Sequence, residues 1–153
     1  SGPRNDTQPE IRVGASETVS KSSVGTVAEH MKKDVISVGP EMDAYHAISL
    51  LLAHHVSALP VIDNDGDLVG ILSERASLEA FVHSEYYESP PALVRDLMTS
   101  EVISVEHKTD ILKVAALFSE KKFHHLPVLD KGRVVGLISR RSVIRAIQGM
   151  RGG

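Results

Sequence analysis

The chain contains neither cysteine nor tryptophan, and aromatic residues make up only 4% of its 153 positions. Without cysteine there are no disulfides and no thiolate metal ligands, in keeping with a reducing compartment. With so few rings, Val, Ile, Leu and Ala must supply the packing of any core. No apolar run approaches the ~20 residues that a membrane-spanning helix needs. Residues 1–26 hold no apolar stretch behind a basic start, so no signal peptide is expected either. These absences point to a soluble, cytoplasmic protein without a membrane span. The net charge of −3 speaks against a nucleic-acid partner. Catalytic signatures are missing as well: there is no GxSxG, no GxGxxG, no P-loop and no HExxH. None of the eight histidines stands four residues from another, so no helical metal pair exists. No catalytic residue, no metal ligand and no required cofactor are expected, and the chain reads as a protein that is not an enzyme.

What the sequence does hold is one motif written twice. Val27-Ala28-Glu29-His30-Met31 aligns with Val94-Arg95-Asp96-Leu97-Met98, and Val35-Ile36-Ser37-Val38 with Val102-Ile103-Ser104-Val105. Leu59-Pro60-Val61-Ile62-Asp63 aligns with Leu126-Pro127-Val128-Leu129-Asp130, and Val69-Gly70-Ile71-Leu72-Ser73 with Val135-Gly136-Leu137-Ile138-Ser139. The offset is 67 residues, shortening to 66 after Asp130, and 18 positions are identical in order. Charge divides unevenly between the copies. Val27–Phe81 carries three basic residues against nine acids, a net of −6, whereas Leu93–Ile147 carries ten against six, a net of +4. The second half is the better place for an anion.

Each copy has the same local order. A short helical turn ends at Met31 or Met98, and a four-residue β-branched strand follows. Next is a helix with one apolar stripe, Ala44, Ala47, Ile48, Leu51 and Leu52 in the first copy and Ile111, Leu112, Ala115 and Phe118 in the second. Thr109 or Asp110 suits the cap of the latter. A strand at Leu59–Asp63 turns through Asn64-Asp65-Gly66 into one at Leu68–Leu72, and Ser73 or Ser139 opens a closing helix. The order is β-α-β-β-α, twice. The expected boundaries are a polar, disordered tail at 1–23 (its Ser1-Gly2-Pro3 reading as a tag remnant), repeats at 24–82 and 93–148, a linker at 83–92 and a tail at 149–153.

Val56-Ser57-Ala58-Leu59-Pro60-Val61-Ile62-Asp63 with Gly70-Ile71-Leu72-Ser73 resembles the CBS domain, as does His124-His125-Leu126-Pro127-Val128-Leu129-Asp130 with Gly136-Leu137-Ile138-Ser139. Two copies in register resemble a Bateman module, and the likeness covers residues 24–148. It implies an α/β (α+β) fold of two β-α-β-β-α repeats packed with pseudo-twofold symmetry. It also implies ligand clefts that in the family take AMP, ADP, ATP or S-adenosylmethionine. Carried over by position, one cleft would use Val35, Ile36, Ser37, Ser57 and Ala58 with Leu137, Ser139 and Ser142. The other would use Val102, Ile103, Ser104, His124 and His125 with Ile71, Ser73 and Ala76. Arg141 and Arg75 lie in the first turns of the two closing helices, where a helix N-terminus would favour an anion. The family's Ser/Thr-x-x-Asp ends here in Ala76 in one copy and Ser142 in the other, so the carboxylate that accepts the ribose hydroxyls is missing. Its loss is worth ~1.5–3 kcal/mol, or about ten- to a hundredfold in affinity.

Plainer roles stand beside these. Ser73 and Ser139 suit N-caps, His124-His125 suits an exposed pair at a strand entrance, and the basic run from Lys121 to Arg145 suits a solvated face. The resemblance implies a regulatory module that binds an adenine-nucleotide-type small molecule, forms a homodimer and acts on an effector domain or protein. The alternative is a ligand-free scaffold for dimerisation or docking.

Overall fold

The computed structural model describes residues 10–13, 24–87 and 92–152. Its element order is β1 (Glu10–Val13), a 3₁₀ turn (Val27–Glu29), α1 (Ala44–Ala53), β2 (Ala58–Ile62), β3 (Leu68–Ser73), α2 (Glu74–Tyr87), α3 (Val94–Leu97), β4 (Val102–Glu106), α4 (Ile111–Glu120), β5 (His125–Asp130), β6 (Arg133–Ser139) and α5 (Arg140–Gly152). The expected helix–hairpin–helix order is present in both copies. The expected tail holds the strand Glu10–Val13, with residues 1–9 and 14–23 outside the described residues. Helix α2 continues to Tyr87 through half of the expected linker, and α5 runs on to Gly152.

The chain divides into two compact units that do not coincide with the repeats. One contains Ile36–Val102, and the other joins Ile11–Val35 to Ile103–Gly153. The opening turn of each repeat therefore packs into the unit built on the other repeat's sheet. In the second unit Val27 is fully buried among Val105, Ile111, Val114, Leu126, Val128 and Ile138. The backbone N–H of Val27 donates to the Thr109 carbonyl at 2.8 Å, and that of Ile111 to Gly25 at 2.9 Å. In the first unit Val94 and Leu97 join Val38, Ala44, Ala47, Leu51, Leu59, Val61 and Leu72. There the N–H of Ala44 donates to Ala92 at 3.0 Å, and that of Val94 to Met42 at 2.9 Å.

Only one copy forms its first strand in full. In the second unit the sheet order is β1-β4-β5-β6, with Val105 and Glu106 parallel to Val128 and Leu129. The N–H of His107 extends the ladder to the Leu129 carbonyl at 2.8 Å. The residue at that place in the first copy is Pro40, which has no N–H to give. Val35–Val38, expected as a strand, is reduced to a bridge between Val38 and Val61 beside the β2–β3 hairpin, whereas β4 is also flanked by β1 on its other edge. Both helix stripes are largely as expected, but Leu52 and Leu112 point outward, at 62% and 46% exposure, and Val114 is buried instead. Asp110, not Thr109, caps α4, its carboxylate accepting the Leu112 N–H at 3.0 Å.

Candidate functional site

In each unit a hairpin leads directly into the closing helix, and one corner geometry results in both. In the first, Ala58 pairs with Ser73 across the β2–β3 ladder, and the N–H of Glu74 donates to the Ser57 carbonyl at 3.0 Å. In the second, His125 pairs with Ser139, and the N–H of Arg140 donates to the His124 carbonyl at 3.1 Å. The serine hydroxyl caps the helix in each case. Ser73 Oγ accepts the Ala76 N–H at 3.0 Å, and Ser139 Oγ accepts the Ser142 N–H at 3.1 Å. The N-cap role of both serines is thus real, and it leaves the rest of the corner free to differ.

It differs in charge. The first corner presents half-buried Ser57, buried Ala58, half-buried Ile71 and Ala76, and exposed Glu74 and Arg75. The Arg75 Nε stands 3.1 Å from Glu79 Oε1 in an exposed i,i+4 pair. The second corner presents exposed His124, half-buried His125, exposed Arg140 and Arg141, and half-buried Ser142. Burial, then His124, then Arg140 hold His125 below the ordinary imidazole range. The Ser139 and Ser142 hydroxyls lie 3.0 Å apart. Ser142 also lines a groove of about 590 Å³ with Val24, His30, Arg145 and Met150. Neither His30 nor Arg145 was expected at a site: His30 stood only within the repeated Val27–Met31 segment, and Arg145 only at the end of the basic run from Lys121.

The strand residues are placed unevenly. Val35 belongs to one unit and Ile36 to the other, and the same division falls between Val102 and Ile103. Val35 and Ile36 are half-buried and Ser37 is exposed. Their counterparts Val102, Ile103 and Ser104 are all buried. Leu137, 7% exposed, sits in β6, where its N–H donates to Lys32 O at 3.0 Å and its carbonyl accepts the Lys32 N–H at 2.9 Å. Ser104 is fully buried, and its Oγ has no hydrogen-bond partner among the described residues. A buried hydroxyl left unpaired costs about 1–3 kcal/mol, and a ligand acceptor would remove that cost. Thr109 Oγ1 and His107 Nδ1 are similarly unbonded, the latter 3.6 Å from Asp130 Oδ1.

A carboxylate group at the β2–β3 turn lies apart from both corners. Oxygens of Asp63, Asp65 and Asp67 fall within 4.8 Å of one another. Asp63 Oδ1 there accepts the N–H groups of Asp65 at 3.0 Å and Asp67 at 2.9 Å, which accounts for the aspartate as a turn former.

Comparison with known proteins places these corners in a family. The CBS domain family matches residues 24–80 and 94–149. CBSX1, a chloroplastic CBS domain-containing protein of Arabidopsis thaliana, is 33% identical over 82% of this chain. The chain spans 22–65% of the length of the first four curated relatives. Among solved structures, CBSX2 of Arabidopsis thaliana in complex with AMP is 31% identical with a TM-score of 0.71, covering 83% of this chain and 98% of that one. The CBS domain pair of protein MJ0100, in complex with 5′-methylthioadenosine and S-adenosyl-L-methionine, is 25% identical with a TM-score of 0.73, covering 82% and 97%. No helix among the described residues is long and apolar enough to cross a membrane.

Proposed function

The chain belongs to the CBS domain family, matched over both of its repeats, and on that premise we propose that it is a regulatory module that binds an adenosyl ligand. The observation that carries the reading is the buried, unbonded hydroxyl of Ser104 on β4. Polar groups enclosed without a partner are rare in proteins and usually have a ligand, water or ion to explain them. Solved relatives in complex with AMP and with S-adenosyl-L-methionine support the class of ligand. The residues enlisted are Val35, Ile36, Ser37, Ser57, Ala58, Ile71, Ser73 and Arg75, with Val102, Ile103, Ser104, His124, His125, Leu137, Ser139, Arg141 and Ser142.

Regulation by such a module is a matter of differential affinity. A ligand that binds one conformation better shifts the population toward it, and an effector domain or protein reads the change. No step of bond making is assigned to the chain. The test is thermal denaturation of the full chain with AMP, ADP, ATP and S-adenosylmethionine, with and without magnesium. A ligand present at a hundred times its dissociation constant raises stability by about 2.7 kcal/mol. No stabilisation by any of the four at millimolar concentration would overturn the reading.

A second reading, a scaffold that dimerises, is favoured by a repeated surface feature. Tyr45 on α1 and Leu78 on α2 are 49% and 65% exposed, and their counterparts Leu112 on α4 and Ile144 on α5 are 46% and 62% exposed. Large apolar side chains exposed at matching places in both repeats suit a self-complementary surface. Homodimerisation is compatible with ligand sensing, so the two readings diverge only if no ligand binds.

A further inference from the structure

Each repeat's opening turn closes on a methionine at the same place. The N–H of Met31 donates to the Val27 carbonyl at 2.9 Å, and that of Met98 to the Val94 carbonyl at 2.9 Å. The next residue is tied to a hairpin by a pair of backbone bonds. The N–H of Lys32 donates to the Leu137 carbonyl at 2.9 Å, and the Lys32 carbonyl accepts the Leu137 N–H at 3.0 Å. Thr99 and Ile71 exchange the same two bonds at 2.9 Å each. Both thioethers lie against the glycine that precedes the bonded hairpin residue. A Cβ added to Gly70 would stand 2.6 Å from Met98 Sδ and 3.0 Å from its Cγ. One added to Gly136 would collide with Met31 Sδ and stand 2.9 Å from Met31 Cγ. Met31 also packs on the core that holds Val27, Val105 and Ile138, and Met98 on the core that holds Leu72, Val94 and Leu97.

A thioether suits this seat because it is apolar, slender and needs no hydrogen bond. A sulfoxide does not, since its oxygen is a strong acceptor carried on a pyramidal sulfur. The polar atom that shares each glycine's open side is another acceptor, the carbonyl oxygen of Lys32 or Thr99. The N–H groups there, of Leu137 and Ile71, are already bonded to those carbonyls. An oxygen on either sulfur therefore lacks a donor unless the methionine swings out of its seat. The chain holds no cysteine, so no thiol competes for a two-electron oxidant, and methionine is its most readily oxidised side chain. Both methionines are half-buried, within reach of a solute as small as hydrogen peroxide.

We propose that Met31 and Met98 form a paired, reversible oxidation site, at which a peroxide unseats the two opening turns. The sulfur attacks one oxygen of hydrogen peroxide. The S–O bond forms as the O–O bond breaks, and the sulfur gives up two electrons. The proton on the transferred oxygen passes to the departing hydroxide, which leaves as water. Losing the seat loosens the bonds to Leu137 and Ile71, and with them Val35–Ser37 and Val102–Ser104, the segments that follow the turns. Oxidation thereby weakens the hold on a ligand. This consequence rests on the adenosyl reading above; the oxidation site itself does not.

The test treats the full chain with hydrogen peroxide, locates the sulfoxides by peptide mass spectrometry and follows the thermal midpoint. Sulfoxide at Met31 and Met98 is expected, with a midpoint lowered by several degrees and restored by methionine sulfoxide reductases and a thiol. Met31→Leu and Met98→Leu keep the volume of the side chain but cannot be oxidised, and each should spare part of the loss. The double variant should hold its own midpoint through the same treatment, although exposed Met150 is converted. In calorimetry, oxidation should weaken AMP about tenfold or more in the wild type and leave the double variant's affinity in place. Equal losses of midpoint in the wild type and the double variant would overturn the site. So would an unchanged midpoint or an unchanged AMP affinity in a wild type that carries both sulfoxides, or full conversion of Met150 with none at Met31 or Met98. A midpoint lowered in the wild type alone, with no adenosyl ligand bound before treatment, would support the oxidation site and remove the adenosyl reading.

Discussion

Gly136 lies directly beneath Lys32: a Cβ added to the glycine would stand 2.8 Å from the Lys32 carbonyl oxygen. The same carbonyl accepts the N–H of Leu137 at 3.0 Å. Gly70 stands in the same relation to Thr99, whose carbonyl oxygen would be 3.0 Å from the added carbon and accepts the Ile71 N–H at 2.9 Å. Each glycine admits the opening turn of the other repeat against its strand.

Gly136→Ala and Gly70→Ala are therefore expected to cost about 1–3 kcal/mol each, since the obstructing atom is backbone and cannot swing aside. For a chain of this size each kcal/mol lowers the melting temperature by roughly 2–4 °C. Gly149→Ala provides the contrast: it lies in α5, its added Cβ would meet nothing within 4 Å, and a gain of about 0.5–1 kcal/mol is expected. Urea denaturation of the three variants checks the ranking. Equal midpoints for Gly136→Ala and Gly149→Ala would contradict the packing described.

The hairpins, the helices and their serine starts were legible because each is specified locally, by alternation, by helical spacing and by turn residues. The exchange of opening turns was not. Val27 and Val94 look like ordinary helix-turn residues, and nothing in their own neighbourhood says which sheet will bury them. The first copy's Val35–Val38 keeps one bridge while its counterpart β4 is a strand, because Pro40 removes the ladder bond that His107 supplies and β4 is also paired with β1, a partner the repeat pattern does not reveal. The outward turn of Leu52 and Leu112 was hidden because an apolar stripe on a helix does not distinguish a core face from one left open. At the corners the residue types and the opposed charges of the two copies were already legible in the sequence, and the shared backbone bonds confirm that Glu74 and Arg140 stand at equivalent places.

The depressed protonation of His125 has a consequence for stability. The unfolded imidazole takes its proton near pH 6.5, whereas the folded one, opposed by burial and by His124 and Arg140, takes it only at lower pH. Between those points the unfolded chain binds more protons, so this contribution is complete above about pH 6.5 and is lost as the pH falls below it. The urea midpoint is expected to drop on going from about pH 7.5 to about pH 5.5, and to drop less in His125→Gln. An equal drop in both proteins would remove His125 as the cause.

Exposed Leu78 and Ile144 sit at equivalent places on α2 and α5. If they line a surface between two copies of the chain, sedimentation equilibrium should give a dimer at micromolar concentration. Leu78→Lys with Ile144→Lys should give a monomer of unchanged melting temperature. A wild-type monomer at every concentration tested would exclude that surface.

The hydroxyl of Ser104 bears most directly on the proposed function, because its burial without a partner is costly unless a ligand meets it. Ser104→Ala should leave the ligand-free melting temperature unchanged or raise it, and should weaken AMP binding about tenfold by calorimetry, the equivalent of one charged or neutral hydrogen bond of ~1.4 kcal/mol. A variant that melts several degrees lower and binds AMP as the wild type does would contradict the account, and would make Ser104 a structural residue.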